Sequence, residues 1–316
     1  MTDTIRLGIS ACLLGQKVRF DGGHKLDRFL VHTLGPYVSY VPVCPEVESG
    51  LPIPRQALRL IGKADNPRLV FSKTKEDYTA AMTRWAEERL AGLAKAGLCG
   101  FVFKSKSPSS GLFRVKVYGS KGIPSATGRG LFAALFTRRF PMLPVEEEGR
   151  LHDPGLRENF IERIFAHKRW CDLMAGGLTP AKLVEFHTRH KMLLLSHSPK
   201  IYRRMGPMVA NQGGTSVDQL VREYRDMFLT ALAERATPGK HANVMQHMLG
   251  HAKKQLDSAE KQEMLELIGQ YKLGILPLIV PLTLLKHYVR KHGLDYLAKQ
   301  YYLDPHPLEL KLRNHA

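Results

Sequence analysis

The sequence predicts an α/β N-terminal domain with a mostly parallel sheet, followed by an all-α C-terminal helical domain. Three observations carry that expectation. Short, β-branched apolar runs alternate with helical patterns over the first half. The second half carries apolar residues at three- and four-residue spacing almost throughout. Between them, Phe140 to Gly149 breaks both patterns with two prolines and three consecutive glutamates, and reads as a linker. At 316 residues the chain exceeds one typical domain. The expected division is residues 1–144 and 145–316.

The first element is Ile5 to Ile9, a buried strand that delivers Cys12 at its carboxyl end. In open α/β sheets, ligands collect at that end of the strands. Gly15 to His24 follow as a glycine-containing loop able to approach a ligand closely. Its Lys17, Arg19 and His24 either contact an anion or heterocycle or face solvent. Residues 25–34 suggest a short helix ended by Gly35-Pro36. A second strand, Tyr37 to Val43, delivers Cys44, with Glu46 two residues on. The loop from Gly50 to Arg55 is stiffened by Pro52 and Pro54, and could hold Arg55 as an anion clamp. Leu69 to Ser72 is a short strand, and Lys75 to Lys95 an amphipathic helix ended by Gly97. Cys99 opens the next strand and is expected to face the interior.

A third strand, Gly100 to Lys104, delivers Ser105-Lys106-Ser107-Pro108-Ser109-Ser110-Gly111. Hydroxyls and free backbone N–H groups make such a loop a candidate anion nest. Arg114 to Tyr118 is a further strand, and Thr127 to about Arg139 a helix. Cys12, Cys44 and the serine loop therefore converge on one pocket; the alternative is that both cysteines are ordinary buried thiols. Glu46, the one carboxylate near the cysteines in sequence, is a candidate general base on water.

Composition limits what the chain can be. No run of 18 apolar residues occurs, and Ile275 to Leu285 is broken by Pro277 and Pro281, so a membrane span is not expected. The first residues carry no charged leader with an apolar segment, and a cytoplasmic protein is expected. Four cysteines without a C-x-x-C argue against structural disulfides and leave metal or thiol chemistry open. The net charge is +18, divided as +10 over residues 1–150 and +8 over the rest. That balance suggests RNA, DNA or an anionic small substrate; a generally basic protein is the alternative.

Several ordered strings together resemble one family. They are Ile9 to Gly15, Asp21-Gly22-Gly23, Pro42 to Glu46, Gly50 to Arg55 and Lys104 to Gly111. They resemble the TudS-like thiouracil desulfurase family over residues 1 to about 140. The resemblance implies a [4Fe–4S] cluster held by three cysteines, with one iron open to take sulfur from a thiolated pyrimidine. Carried over position by position, it implies Cys12 and Cys44 as cluster ligands, with Ser110 standing where the third cysteine belongs. Glu46 and Ser109 are then the catalytic candidates, and Arg19, Arg55 and Ser107 the candidate substrate contacts. A serine alkoxide is a hard, high-pKa ligand. Four outcomes stay open: weak ligation by Ser110, recruitment of Cys99, a labile cluster, or a lost cluster with the pocket kept.

From Val145 onward the sequence resembles the YbgA-like C-terminal domain, a bacterial family of unknown function. Leu156 to Arg163, Phe186 to Lys191, His241 to Val244 and Pro281 to Tyr288 are among the matching strings. Helices are expected near 155–175, 179–196, 198–210, 215–236, 239–256, 258–271, 277–292 and 293–302. Thr179-Pro180 marks an N-cap, Asp257 or Ser258 another, and Gly206-Pro207 a break. His187, His190, His241, His247, His251 and His287 are structural, phosphate-contacting or metal-binding candidates. Trp170 and tyrosines 271, 288, 296, 301 and 302 could stack on bases or lie in the core. Two functions follow: an iron–sulfur-dependent desulfurase-like enzyme acting on a thiolated pyrimidine or nucleic acid, or a non-catalytic nucleic-acid-binding accessory protein.

Overall fold

The structure, a computed structural model, describes residues 4–119, 122–210 and 216–314. The chain forms two compact units, Met1–Asp153 and Pro154–Ala316.

The first unit holds two four-stranded sheets. The larger has the order β2-β1-β5-β8 and every pairing in it is parallel. Its strands are β1 (Ile5–Ser10), β2 (Val38–Val43), β5 (Gly100–Phe103) and β8 (Val145–Glu147). β1 lies centrally, so its alternate positions are all buried, as near-continuous apolar runs in parallel sheets are. Gly8 is required there: a Cβ would sit 2.2 Å from the Phe101 ring. Phe101 and Phe103 pack with Phe132 and Phe136 in the core between this sheet and its helices.

The smaller sheet contains two expected strands, near Leu69 to Ser72 and Arg114 to Tyr118, and two that the sequence does not predict. It comprises β3 (Leu58–Lys63), β4 (Asn66–Phe71), β6 (Val115–Tyr118) and β7 (Pro124–Gly128), with β3–β4 and β6–β7 antiparallel and β3–β6 parallel. β7 takes residues expected to begin a helix. That helix, α3 (Leu131–Arg139), starts only after Gly130. The helix expected from Lys75 is α2 (Thr79–Ala94). Residues 75–78 instead turn back on β4, where Tyr78 N donates to Leu69 O and Phe71 N to Glu76 O. Residues 25–34 give a π-helical segment, Phe29–Leu34, opened by Asp27 accepting from Leu30 N.

The stretch read as a linker is a correction. Val145 to Glu147 pair in register with Phe101 to Phe103, so the first unit runs to Asp153 and does not end at 144. Three acidic residues hid the strand; all three are buried and paired.

The second unit is helical. Its helices are α4 (Pro154–Ala175), α5 (Pro180–His197), α6 (Pro199–Ala210), α7 (Val217–Ala233), α8 (Pro238–His251), α9 (Ser258–Lys272), α10 (Ile279–Lys291) and the single turn α11 (Asp295–Ala298). Thr179 caps α5 by accepting from Lys182 N, and Asp257 with Glu260 forms a capping box on α9. α6 runs through Pro207, where a break was expected. Trp170 stacks on Tyr224 in the core, and Tyr271, Tyr288 and Tyr302 are also buried, so these rings do not offer faces to bases. No helix among the described residues is long and apolar enough to cross a membrane.

Candidate functional site

Sheet geometry brings three chain segments to one rim. β1 and β2 are parallel and in register through Ser10 and Val43, so the residues that follow them, Cys12 and Cys44, emerge at the same end. β5 is parallel to β1 and ends beside it, where Lys104 N donates to Ser10 Oγ at 2.9 Å. A cavity of about 410 Å³ opens there. Cys12, Arg19, Cys44, Glu46, Arg55, Ser107 and Ser110 all line it, with Lys104 and Ser105. Ser109 is fully buried and is not part of the wall. Lys17 and His24 also stand outside it; His24 Nδ1 accepts from Leu26 N.

A one-turn helix, α1 (Pro45–Glu48), sets the Cys44 side. Glu48 accepts from Cys44 N at 2.8 Å and pairs with Arg89. Cys44 Sγ lies 3.6 Å from Glu46 Oε2 and 3.8 Å from Val18 O. Both neighbours accept, so the thiol is the donor and keeps its proton. Burial, then the Glu46 charge, pushes the Cys44 thiol up to about 12. Burial likewise raises Cys12 to about 11, with Lys104 opposing. Neither is an activated nucleophile; each becomes a thiolate only when a cation replaces its proton.

Glu46 reaches across to the serine loop. Ser109 Oγ donates to Glu46 Oε1 at 2.5 Å, and Ser107 Oγ lies 2.9 Å from Ser109 Oγ. Ser107 Oγ in turn accepts from the backbone of Ser109 and Ser110. Cys44, Glu46, Ser109 and Ser107 thus form one hydrogen-bonded chain beside the cavity. The loop is tight because Gly111 N donates to Ser107 O and α3 docks onto it. A Cβ on Gly130 would lie 2.5 Å from the Ser109 carbonyl.

The donor set suits a soft metal centre at two positions and a hard one at the third. Two thiols share the cavity wall with Ser110, whose hydroxyl has no hydrogen-bond partner among the described residues. Cys99 cannot join them. It precedes β5, at the opposite end, where its N–H donates to Arg6 O. Four strand residues at about 3.3 Å each separate it from the rim. Arg55 lines the cavity, yet its guanidinium donates to Val18 O at 2.9 Å and Pro52 O at 3.3 Å. It holds the loop after Cys12 in place, with much of its fork already occupied. Arg19 pairs with exposed Asp21 at 3.3 Å and remains on the wall.

Sequence reasoning missed the acidic strand beneath the loop. Glu148 accepts from Ser105 N and Ser105 Oγ, both at 2.7 Å, and pairs with Lys104. Glu147 accepts from Leu112 N at 2.6 Å and Phe113 N at 3.0 Å. Together they tie down both ends of the serine loop. Three consecutive charges look like a solvated surface; only their shortness as a run and the β-branched Val145 just before them hinted at a strand.

The histidines of the second unit divide by burial. His187 and His190 are buried, and His241 hydrogen-bonds Tyr302 Oη, so these three are built into the core. His247 and His251 face each other at 5.1 Å between ring centres with no carboxylate completing a metal group among the described residues.

Residues 7–148 match the 2-thiouracil desulfurase family, and residues 191–307 match a second family, described as a protein of unknown function (DUF1722). The uncharacterized protein YbgA of Escherichia coli strain K12 is 35% identical over 158 residues, which are 50% of this chain and 94% of YbgA. The chain belongs to the YbgA family. It is also similar to a solved structure of the [4Fe–4S]-dependent thiouracil desulfidase TudS, at 31% identity over 48% of this chain and 95% of that one, with a TM-score of 0.39. The span that matches the desulfurase model includes Cys12, Cys44, Glu46 and the whole serine loop, and it closes on Glu148.

Proposed function

We propose that this protein is an iron–sulfur-dependent desulfidase that replaces sulfur by oxygen in a thiolated pyrimidine, free or within a nucleic acid. The observation that carries the reading is the chain from Cys44 through Glu46 to Ser109 along a cavity that Cys12 and Ser110 also line. In the reaction, water oxygen bonds to the ring carbon, the carbon–sulfur bond breaks, and sulfur leaves as sulfide with two protons and no net redox change. A [4Fe–4S] cluster bound through Cys12, Cys44 and Ser110 would supply a Lewis-acidic iron with affinity for the thione sulfur.

The chain's own groups handle protons and position. Glu46 Oε2 faces the Cys44 side of the cavity, while Oε1 is held by Ser109. That arrangement leaves one oxygen to take a proton from the incoming water. Ser109 acts from behind the wall by fixing the carboxylate, and Ser107 fixes Ser109. Lys104, tethered by Glu148, and Arg19 put positive charge on the wall, where a substrate carbonyl or phosphate gains from it.

The test is anaerobic reconstitution of the full chain with iron and sulfide, followed by iron and acid-labile sulfide assays and by sulfide release from thiouracil, thiouridine and thiolated RNA. Bound iron with sulfide release supports the enzyme. The hard Ser110 oxygen favours a second reading, an accessory nucleic-acid binder that keeps the pocket without the cluster. A colourless protein that shifts RNA in a gel, with steep salt dependence, supports that one.

A further inference from the structure

Two guanidinium groups lie over the Tyr301 ring with no carboxylate partner among the described residues. The Cζ of Arg169, on α4, is 4.0 Å from the centre of that ring, and the Cζ of Arg189, on α5, is 4.4 Å from it. The main chain at Tyr301 is anchored to α5, because Tyr301 N donates to Arg189 O at 2.9 Å. No carboxylate pairs with either guanidinium among the described residues. The carboxylate whose field reaches Arg169 is Glu162, and it is already held by Arg313 and His197.

The donors of the pair are also incomplete. One arm of Arg169 donates to Pro305 O. Its Nη1 and the Nε of Arg189 are shielded from solvent and have no hydrogen-bond partner among the described residues. His190 stands against the same ring, 4.5 Å between centres, and is fully buried. Its Nδ1 faces Phe186 O at 2.7 Å, which places the proton there and leaves Nε2 as an unpartnered site. Burial is the main cause that lowers Arg169 to about 10, and Arg189 adds to it.

We infer that Arg169, Arg189 and Tyr301 form a binding site for a dianionic oxyanion of the phosphate class. Two forked guanidinium groups with free N–H donors match the geometry and the charge of a phosphoryl group. One carboxylate would neutralise half of the pair. The tyrosine ring spaces the cations and holds them in place by stacking while the site is empty. The inference concerns the YbgA-like domain alone and does not depend on the iron–sulfur reading.

The experiment measures thermal unfolding of the full chain against inorganic phosphate, with sodium chloride adjusted to keep ionic strength constant. Wild type is expected to show a saturable rise in Tm. Arg189 makes no side-chain hydrogen bond among the described residues, so Arg189→Met is the clean variant, and its half-saturating phosphate concentration is expected to rise at least tenfold. Phosphorus NMR line broadening gives the same comparison without unfolding, and covers the case that Arg169→Met does not fold. Methyl phosphate is the second arm. Binding like that of inorganic phosphate assigns the site to the phosphate end of a larger ligand, and exclusion of methyl phosphate assigns it to the free ion; both support the site. Absence of a saturable response in wild type, or unchanged half-saturation in Arg189→Met, overturns it. So does an unphosphorylated RNA oligonucleotide that wild type binds and Arg189→Met loses while phosphate does nothing; that result assigns the arginines to a nucleic-acid backbone.

Discussion

Ser109 Oγ donates to Glu46 Oε1 at 2.5 Å across 63 residues of chain. This bond joins the turn after β2 to the loop after β5, and it couples a buried hydroxyl to a carboxylate whose other oxygen faces the Cys44 thiol. A carboxylate held on one side, whose other oxygen is freed when Cys44 gives up its proton to a cation, is suited to accept a proton at a fixed place.

Glu46→Gln keeps the shape and removes the base. Sulfide release from a thiolated pyrimidine by the reconstituted protein is expected to fall by about 10²–10⁴-fold, with little change in bound iron. Ser109→Ala should cost less, because it loosens the carboxylate without removing it. Activity of Glu46→Gln within threefold of wild type would end the general-base assignment.

Ser110→Cys replaces a hard oxygen by a soft sulfur at a position with no competing hydrogen bond among the described residues. Bound iron and acid-labile sulfide per chain are expected to rise after reconstitution, and the bound iron to survive air longer. Equal iron in the two proteins would mean that residue 110 is not a ligand.

The loop geometry makes a stability prediction separate from activity. Gly130→Ala forces a Cβ to 2.5 Å from the Ser109 carbonyl and 2.8 Å from Gly111 N, both backbone atoms. The expected loss is about 1–3 kcal/mol in urea unfolding. Glu148→Gln leaves Lys104 without its charge partner and weakens two hydrogen bonds to Ser105, with a comparable loss. If either variant unfolds as wild type does, the loop is not held as described.

Acid should weaken the helical unit. Burial lowers His187 and His306 to about 4 and His190 well below its ordinary value. Between their usual 6.5 and those depressed values, the unfolded chain binds protons that the folded chain refuses, so stability falls as pH falls. Glu158 works the other way. Burial, then Glu162, raises it to about 7, so the folded state holds an extra proton above pH 4.5. His251 is lowered by burial as well, so the histidines outnumber the one raised glutamate and the net slope has their sign. Denaturant unfolding at pH 6.5 and 5.5 checks the sign; equal or greater stability at 5.5 contradicts it.

Much of the frame was legible in the residues. Cys12, Cys44 and Ser105 to Gly111 each follow a short apolar strand, and parallel pairing alone carries them to one rim. Helix ends were equally plain at Thr179-Pro180 and Asp257, because capping is local chemistry. Only half of the smaller sheet was legible: β4 and β6 read as strands, but β3 and β7 contain Gly62, Lys63, Pro124 and Ser125, and the β3–β6 pairing that makes one sheet joins partners far apart in the chain.

By itself, the sequence determined two units of different class and three chemistry-bearing strand ends, since periodicity and turn residues act over a few neighbours. Only the tertiary structure decided which polar groups meet. It put Ser109 behind the wall, occupied Arg55 with carbonyls, turned Glu147 and Glu148 into loop anchors, and set Arg169 and Arg189 on one ring. Those contacts cross tens to hundreds of residues. A charged side chain looks the same in sequence whether it ends in water or in a buried pair; burial, which the whole fold sets, decides between them.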